Sequence, residues 1–309
     1  MRKMNFFKSG LILVFTVVLA IHVFAQKTKN VIIIVIDGAR YTETFGDSAH
    51  QYIPKIWNQL HPLGAIYTSY YNNGTTLTNS GHSSILTGTW QKLPNDGSAR
   101  PTSPTIFEYY RKQCKASQKE NYVVLGKDKL NMLSYSTDAQ YGSDYGASVQ
   151  TSTAQYNDSV TLKNIKLVLS TDKPHLLISN FAATDHSGHG GIFKEYTNSL
   201  KIADNLVFDL WNYIQADPNY RNSTTLIITN DHGRHTKDFK EHGDNCDGCR
   251  HIMLMILGPD TPAGIIDNSV CEQIDIAPTV GSYLHFATPS SQGKVIRSAV
   301  AKFAFENKK

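Results

Sequence analysis

VIIIVIDG, residues 31–38, sets six β-branched apolar residues in a row and closes them with an acid and a glycine. A run with no polar alternation has no wet face, so it reads as a strand buried on both sides of a parallel sheet. Three more runs share the pattern: HLLISNFAATD (175–185), TTLIITNDHG (224–233) and HIMLMILGP (251–259). Helical patterns lie between them. From Tyr196 the apolar positions Leu200, Ala203, Val207, Leu210 and Ile214 trace one face of a long helix that stops near Pro218. Ser103-Pro104 reads as the N-cap and first turn of a second helix carrying Ile106, Phe107 and Tyr110. Strands alternating with helices predict an α/β fold, a three-layer sandwich around a mostly parallel central sheet. Residues 127–160, rich in Ser, Thr, Tyr, Gly and Asp, read as an insertion or long surface loop.

The first 25 residues are of another kind. Arg2, Lys3 and Lys8 precede the apolar run GLILVFTVVLAI, and VFA ends at Ala25. This is the layout of a secretory signal cleaved before Gln26, and the run is too short for a stable membrane span. The expected mature chain is a single catalytic domain, 26–309, in the periplasm or outside the cell. Cleavage removes three basic residues, so the formal charge falls from +4 to +1 and gives no case for nucleic-acid binding. Of the four cysteines, Cys114, Cys246, Cys249 and Cys271, the pair in Cys246-Asp-Gly-Cys249 reads as a tight bridge pinning a loop. As half of a zinc ribbon it lacks a second CxxC.

Ligands gather at the carboxyl ends of strands in open α/β sheets, and the unusual residues fall there. The first run ends at Asp37, the second at Asp185 and the third at Asp231-His232. His189 follows Asp185 by four residues in a glycine-containing loop, and KEHGDN supplies His242. Carboxylate with imidazole suits two divalent metal ions, zinc first. The six residues make two three-ligand sites: Asp37, Asp231 and His232 for one, Asp185, His189 and His242 for the other. TLTNSGHSSILTG (76–88) is dense in hydroxyls with no acid or lysine beside them. A metal could activate one of them. Thr78, just ahead of a short helix spanning Ser80 to Leu86, is the best placed, since a helix N-terminus also favours a phosphate.

These motifs, in this order, resemble the alkaline phosphatase superfamily, and within it the nucleotide pyrophosphatase/phosphodiesterase branch. DGAR (37–40) matches the opening Asp-Gly-x-Arg. TNSGH (78–82) aligns with the nucleophile motif Thr-x-Pro-Asn-His, DHSGH (185–189) with Asp-x-x-Gly-His, DHG (231–233) with Asp-His-Gly, and HG (242–243) with the last ligand. QIDIAPTVGSYL (273–284) resembles the closing helix. The resemblance spans 31–284 and implies an alkaline-phosphatase-like sandwich and hydrolysis of a small phosphoester through a phosphothreonine on Thr78. It also implies an asparagine that holds phosphoryl oxygens. Asn95 is the nearest candidate, the other reading being a turn residue in LPNDG. Some branches place a ligand at the start of the last strand, which makes His251 the alternative to His242.

Ser80 and Gly81 replace the motif's Pro and Asn. His82 and Arg40 read as supporting residues, His186 as facing solvent or the cleft, and His50 and His235 as surface histidines. Phosphodiester hydrolysis is the leading expectation. A phosphomonoesterase or phosphonate hydrolase on the same core is the alternative, and a non-catalytic metal-stabilised binding protein is the rival outside catalysis. Sulfatases carry a Cys- or Ser-x-Pro-x-Arg motif that yields formylglycine. This chain has Thr78 in its place and His82 where arginine would stand.

Overall fold

The computed structural model describes residues 26–300, so the expected signal segment lies outside the described residues. The VIIIVIDG run forms β1 (Asn30–Ile36), flanked in parallel by β5 (Leu176–Phe181) and β6 (Thr224–Thr229). The other strands are β2 (Gly64–Tyr71), β3 (Asn121–Val124), β4 (Ser148–Gln150), β7 (His251–Leu257), β8 (Ile265–Asp267) and β9 (Cys271–Glu272). The sheet runs β4-β3-β5-β1-β6-β7-β2-β8, with β9 added to β2.

Successive β1 side chains point to opposite faces, so each face feeds its own core. Val31, Ile33 and Val35 pack with Ile85, Phe107 and Val280, from α1 (Thr78–Thr87), α2 (Ile106–Cys114) and α6 (Ile276–Leu284). Ile32, Ile34 and Ile36 pack with Ile165 of α3 (Asp158–Thr171) and with α5 (Phe193–Ala216). In α5 the expected face, Leu200, Ala203, Val207, Leu210 and Ile214, is buried. The result is the predicted α/β three-layer fold.

Four local expectations change. β7 runs antiparallel to both β6 and β2. Its continuous apolar sequence reports burial on two faces, which carries no information about direction. The segment after β5 is a helix, α4 (Ala183–His189), rather than a loop. The second helix is capped by Thr105, whose hydroxyl accepts from Glu108 N while Glu108 accepts from Thr105 N. Residues 127–160 hold an edge strand and helical turns, and Leu130, Met132 and Leu133 are buried in the core.

All of α1 is buried despite its hydroxyls. Three are satisfied within the helix: Ser83 donates to Asn79 O (2.7 Å), Ser84 to Ser80 O (2.9 Å) and Thr87 to Ser83 O (2.8 Å), while Ser80 Oγ accepts from Leu93 N (3.0 Å). Gly81 lets the helix approach the sheet edge, since a Cβ there would lie 2.4 Å from Asp231 O. The departure from the resembled motif thus brings Thr78 and His82 up to Asp231. The four cysteines are free thiols.

Candidate active site

β1, β5 and β6 are parallel, so their carboxyl ends open on one edge. Asp37 follows β1 directly, Asp231 lies two residues past the end of β6, and α4 carries Asp185 and His189 one turn apart on one face. Asp231 Oδ1 accepts from the amides of Gly38 (3.2 Å) and His232 (3.0 Å), which leaves Oδ2 turned toward the site.

His232 Nδ1 lies 2.8 Å from Gly233 O and must donate to it. Its Nε2 therefore presents a lone pair. That nitrogen sits 3.4 Å from Thr78 Oγ1, 3.6 Å from Asp37 Oδ1 and 3.4 Å from Asp231 Oδ2. Both carboxylate oxygens are buried with no hydrogen-bond partner. Acceptors facing one another without a proton between them fit a divalent cation. Burial and then Asp231 raise Asp37 above the usual carboxylate range. In Asp231 burial is outweighed by His232 and His82, which hold it below.

The second predicted group assembles beside the first. His242 Nδ1 donates to Thr76 O (3.0 Å), which frees Nε2. Nε2 lies 3.2 Å from His189 Nε2 and 3.6 Å from Asp185 Oδ1, and His189 Nε2 is 3.3 Å from the same oxygen. Burial, followed by the neighbouring His232, pushes His242 down to about 3, so the ring is neutral as a ligand requires. The two groups touch: the rings of His232 and His242 stack at 3.7 Å, and the donor atoms of Asp185, His232 and His242 lie within 4.8 Å of one another. His251 is elsewhere. Its Nε2 donates to Thr68 O (2.8 Å) and its ring stacks on Tyr41.

His82 is closer to the centre than a supporting role suggests. Its Nδ1 is 2.8 Å from Thr78 O and 3.2 Å from Asp231 Oδ2. Its Nε2 accepts from Asn180 Nδ2 (3.0 Å), which also donates to Asp37 Oδ2 (2.9 Å). Hydrogen bonds thus run from the backbone of the nucleophile candidate through His82 and Asn180 to Asp37, with Asp231 Oδ2 beside the His82 ring.

Two buried cations escaped the sequence reading. Lys127 Nζ donates to Asp37 Oδ2 (2.9 Å) and Asp185 Oδ2 (2.6 Å), bridging the two ligand groups. Burial alone would lower its pKa, but Asp37 and Asp185 hold it above the ordinary lysine value. Arg234 Nη2 donates to both Oδ1 and the carbonyl of Asp185, each at 2.6 Å. The signals were there: GKDK (126–129) just past the end of β3, and Arg234 two residues past His232.

A cleft of about 230 Å³ opens over Thr78, lined also by Asn95, Lys127, Lys129, Tyr156 and His186. Asn95 Oδ1 accepts from Asn79 N (3.0 Å) in the first turn of α1, and its carbonyl accepts from Lys129 Nζ (3.0 Å). Tyr156 and His186 stack at 4.5 Å. Arg40 pairs with Glu43 (2.7 Å) away from the cleft. His50 is buried against Trp57, not on the surface, and His235 lies beside Asp244.

The sulfatase family model matches residues 29–286. No curated protein matches the chain. Among solved structures, the phosphonate monoester hydrolase of Agrobacterium radiobacter is similar at 14% identity, covering 88% of this chain and 77% of that one, with a TM-score of 0.63. The alkaline phosphatase PafA is similar at 13% identity over 90% of this chain and 100% of that one, TM-score 0.68. A 2-O GAG sulfatase is similar at 13% identity over 89% and 74%, TM-score 0.67. These neighbours share the alkaline-phosphatase-like fold. Among the described residues no helix is long and apolar enough to cross a membrane.

Proposed function

This chain belongs to the sulfatase family, and we propose that within that superfamily of hydrolases it is a metal-dependent phosphoester hydrolase acting through Thr78. The observation that carries the reading is Thr78 Oγ1, 3.4 Å from His232 Nε2 at the first residue of α1, beneath a cleft lined by two lysines. Threonine cannot yield formylglycine, and His82 stands where the sulfatase motif has arginine. Both argue against sulfate ester cleavage.

Asp37, Asp231 and His232 would hold one divalent ion, and Asp185, His189 and His242 the other. Bound there, the ions supply Lewis-acid stabilisation of charge on the attacking and departing oxygens. The chain's own groups do the rest. Thr78 Oγ1 gives its proton to solvent and forms a bond to phosphorus as the bond to the ester oxygen breaks. Water then cleaves the phosphothreonine, releasing phosphate and restoring the hydroxyl. Lys127 and Lys129 meet the phosphoryl oxygens, Asn95 adds a polar contact, and the α1 N-terminus favours the same negative charge.

Two ammonium groups over one hydroxyl match the double charge of a monoester better than the single charge of a diester. We therefore favour a small phosphomonoester as substrate; a phosphonate ester carries one charge, like a diester. The Tyr156–His186 stack at the cleft supports a diester as the second reading, because it could hold a second, planar substituent. Hydrolysis of p-nitrophenyl phosphate against bis-p-nitrophenyl phosphate by zinc-loaded protein, with Thr78→Ala as control, separates them. Monoester preference abolished by the substitution is the expected result. Diester preference selects the second reading, and activity surviving Thr78→Ala rejects both. Secretion, with residues 1–25 removed, is part of the same proposal.

A further inference from the structure

The loop between β6 and β7 gathers a second set of side chains of metal-ligand type that the phosphoester chemistry does not use. Cys249 Sγ lies 3.3 Å from Asp244 Oδ1, and His235 Nε2 lies 3.3 Å from Asp244 Oδ2. The donor atoms of His235, Asp244 and Cys249 all fall within 4.8 Å of one another. His235 Nε2 is buried and has no hydrogen-bond partner. Cys246 stands beside them at the head of the CDGC turn, where the amides of Cys249 and Arg250 both donate to Cys246 O at 3.0 Å. Its Sγ faces Thr236 Oγ1 (3.6 Å), and rotation of the side chain would bring a fourth donor to the group. Cys246 N donates to Asp244 Oδ1 (3.0 Å), which draws the start of the turn onto the same carboxylate.

We propose that His235, Asp244, Cys246 and Cys249 form a structural zinc site separate from the catalytic centre. One imidazole, one carboxylate and two sulfurs in a CxxC turn make a four-donor set suited to tetrahedral zinc. The sulfurs set it apart from the catalytic centre, whose donors are oxygen and nitrogen alone. Binding releases the two thiol protons to solvent, and no electrons change hands.

The position gives the site a consequence. The same loop carries His242, and Asn245 docks it on the chain ahead of the nucleophile: Asn245 Oδ1 accepts from Thr76 N (3.2 Å) and Thr76 Oγ1 (2.9 Å). A metal gripping residues 235–249 therefore fixes His242 and the entry to α1 together. It does for the loop what the disulfide expected from the sequence would have done.

The test uses cobalt(II) as the probe, on full-length purified protein stripped of metal. Thiolate-to-cobalt charge transfer gives near-ultraviolet absorption that oxygen and nitrogen ligands cannot produce, so the band reads this site whether or not the catalytic reading holds. The expected result is a thiolate band that saturates at one equivalent. It is lost in Cys246→Ser and Cys249→Ser and kept in the Cys114→Ser, Cys271→Ser double variant. The as-isolated zinc content should fall by one per chain in the same two variants. Should they fail to fold, the wild-type titration decides alone. Absence of a thiolate band overturns the proposal, as does a Cys246–Cys249 disulfide found by thiol titration and peptide mass mapping of the native protein.

Discussion

Gly188 and Arg234 are fitted to each other: a Cβ on Gly188 would lie 2.4 Å from the guanidinium carbon of Arg234. That guanidinium is fully buried and holds Asp185 by both side chain and carbonyl. Alanine normally gains about 1 kcal/mol over glycine inside a helix. Here Gly188→Ala must push the guanidinium off Asp185, and the overpacking is expected to cost about 1–3 kcal/mol instead. Urea denaturation alongside kcat on a phosphoester checks it. A variant as stable and active as wild type would refute the proposed packing constraint.

Thr78 is the hydroxyl on which the proposed chemistry turns. Thr78→Ala is expected to reduce kcat/KM by about 10³-fold or more, since removal of a nucleophile costs far more than loss of a supporting hydrogen bond. Thr78→Ser should retain part of the activity. Parallel Ser80→Ala and Ser83→Ala variants, whose hydroxyls bond within the buried protein, should lose far less. Single-turnover assays with trapping of the phosphorylated residue identify which side chain carries the phosphate.

Lys127 should discriminate substrates by charge. Lys127→Ala is expected to lower monoester turnover about 10²-fold, the scale of one electrostatic contact in a dry site, and diester turnover by less. A uniform loss on both would mean that Lys127 acts by holding Asp37 and Asp185, not by meeting the phosphoryl group.

Metal dependence separates His242 from His251. Chelation should abolish activity, and zinc should restore it. His242→Ala is expected to weaken metal retention, measured by competition with a chromogenic chelator, because its free Nε2 faces His189 and Asp185. His251→Ala should leave retention unchanged, since that ring donates to Thr68 O and packs on Tyr41.

Asp158 gives a pH signature outside the ligand groups. Its Oδ1 accepts from the amides of Ala182 (2.7 Å) and Ala183 (3.2 Å), seating the start of α4, and burial pushes its pKa up to about 7 from 3.8. A raised folded-state value favours the protonated form. The stabilisation is therefore complete below pH 3.8 and is lost as pH rises through about 7. Asp158→Asn does not titrate. Relative to it, wild type should lose stability over that window at about 1.4 kcal/mol per pKa unit at most. Urea midpoints of both proteins from about pH 4.5 to about 8, which runs from inside that window to just past its upper end, measure the difference; a constant difference would sink the assignment.

The sequence carried local information well. Unbroken β-branched runs announce strands with two buried faces, and β1, β5 and β6 lie where VIIIVIDG, HLLISNF and TTLIIT stand. The spacing from Tyr196 to Ile214 announces α5. Strand-end carboxylates with nearby imidazoles named the six ligand candidates because parallel strands share one carboxyl edge, so residues far apart in sequence meet without further information. What depended on closure of the chain was not legible. The antiparallel direction of β7 follows from where the connection after β6 lies, and the helix around Asp185 forms in the connection after β5. Lys127 and Arg234 went unread because only folding sets them 2.6 Å from Asp185. Hydrophobic burial leaves its period in the sequence, whereas a buried charge is explained only by the partner that the tertiary fold sets against it.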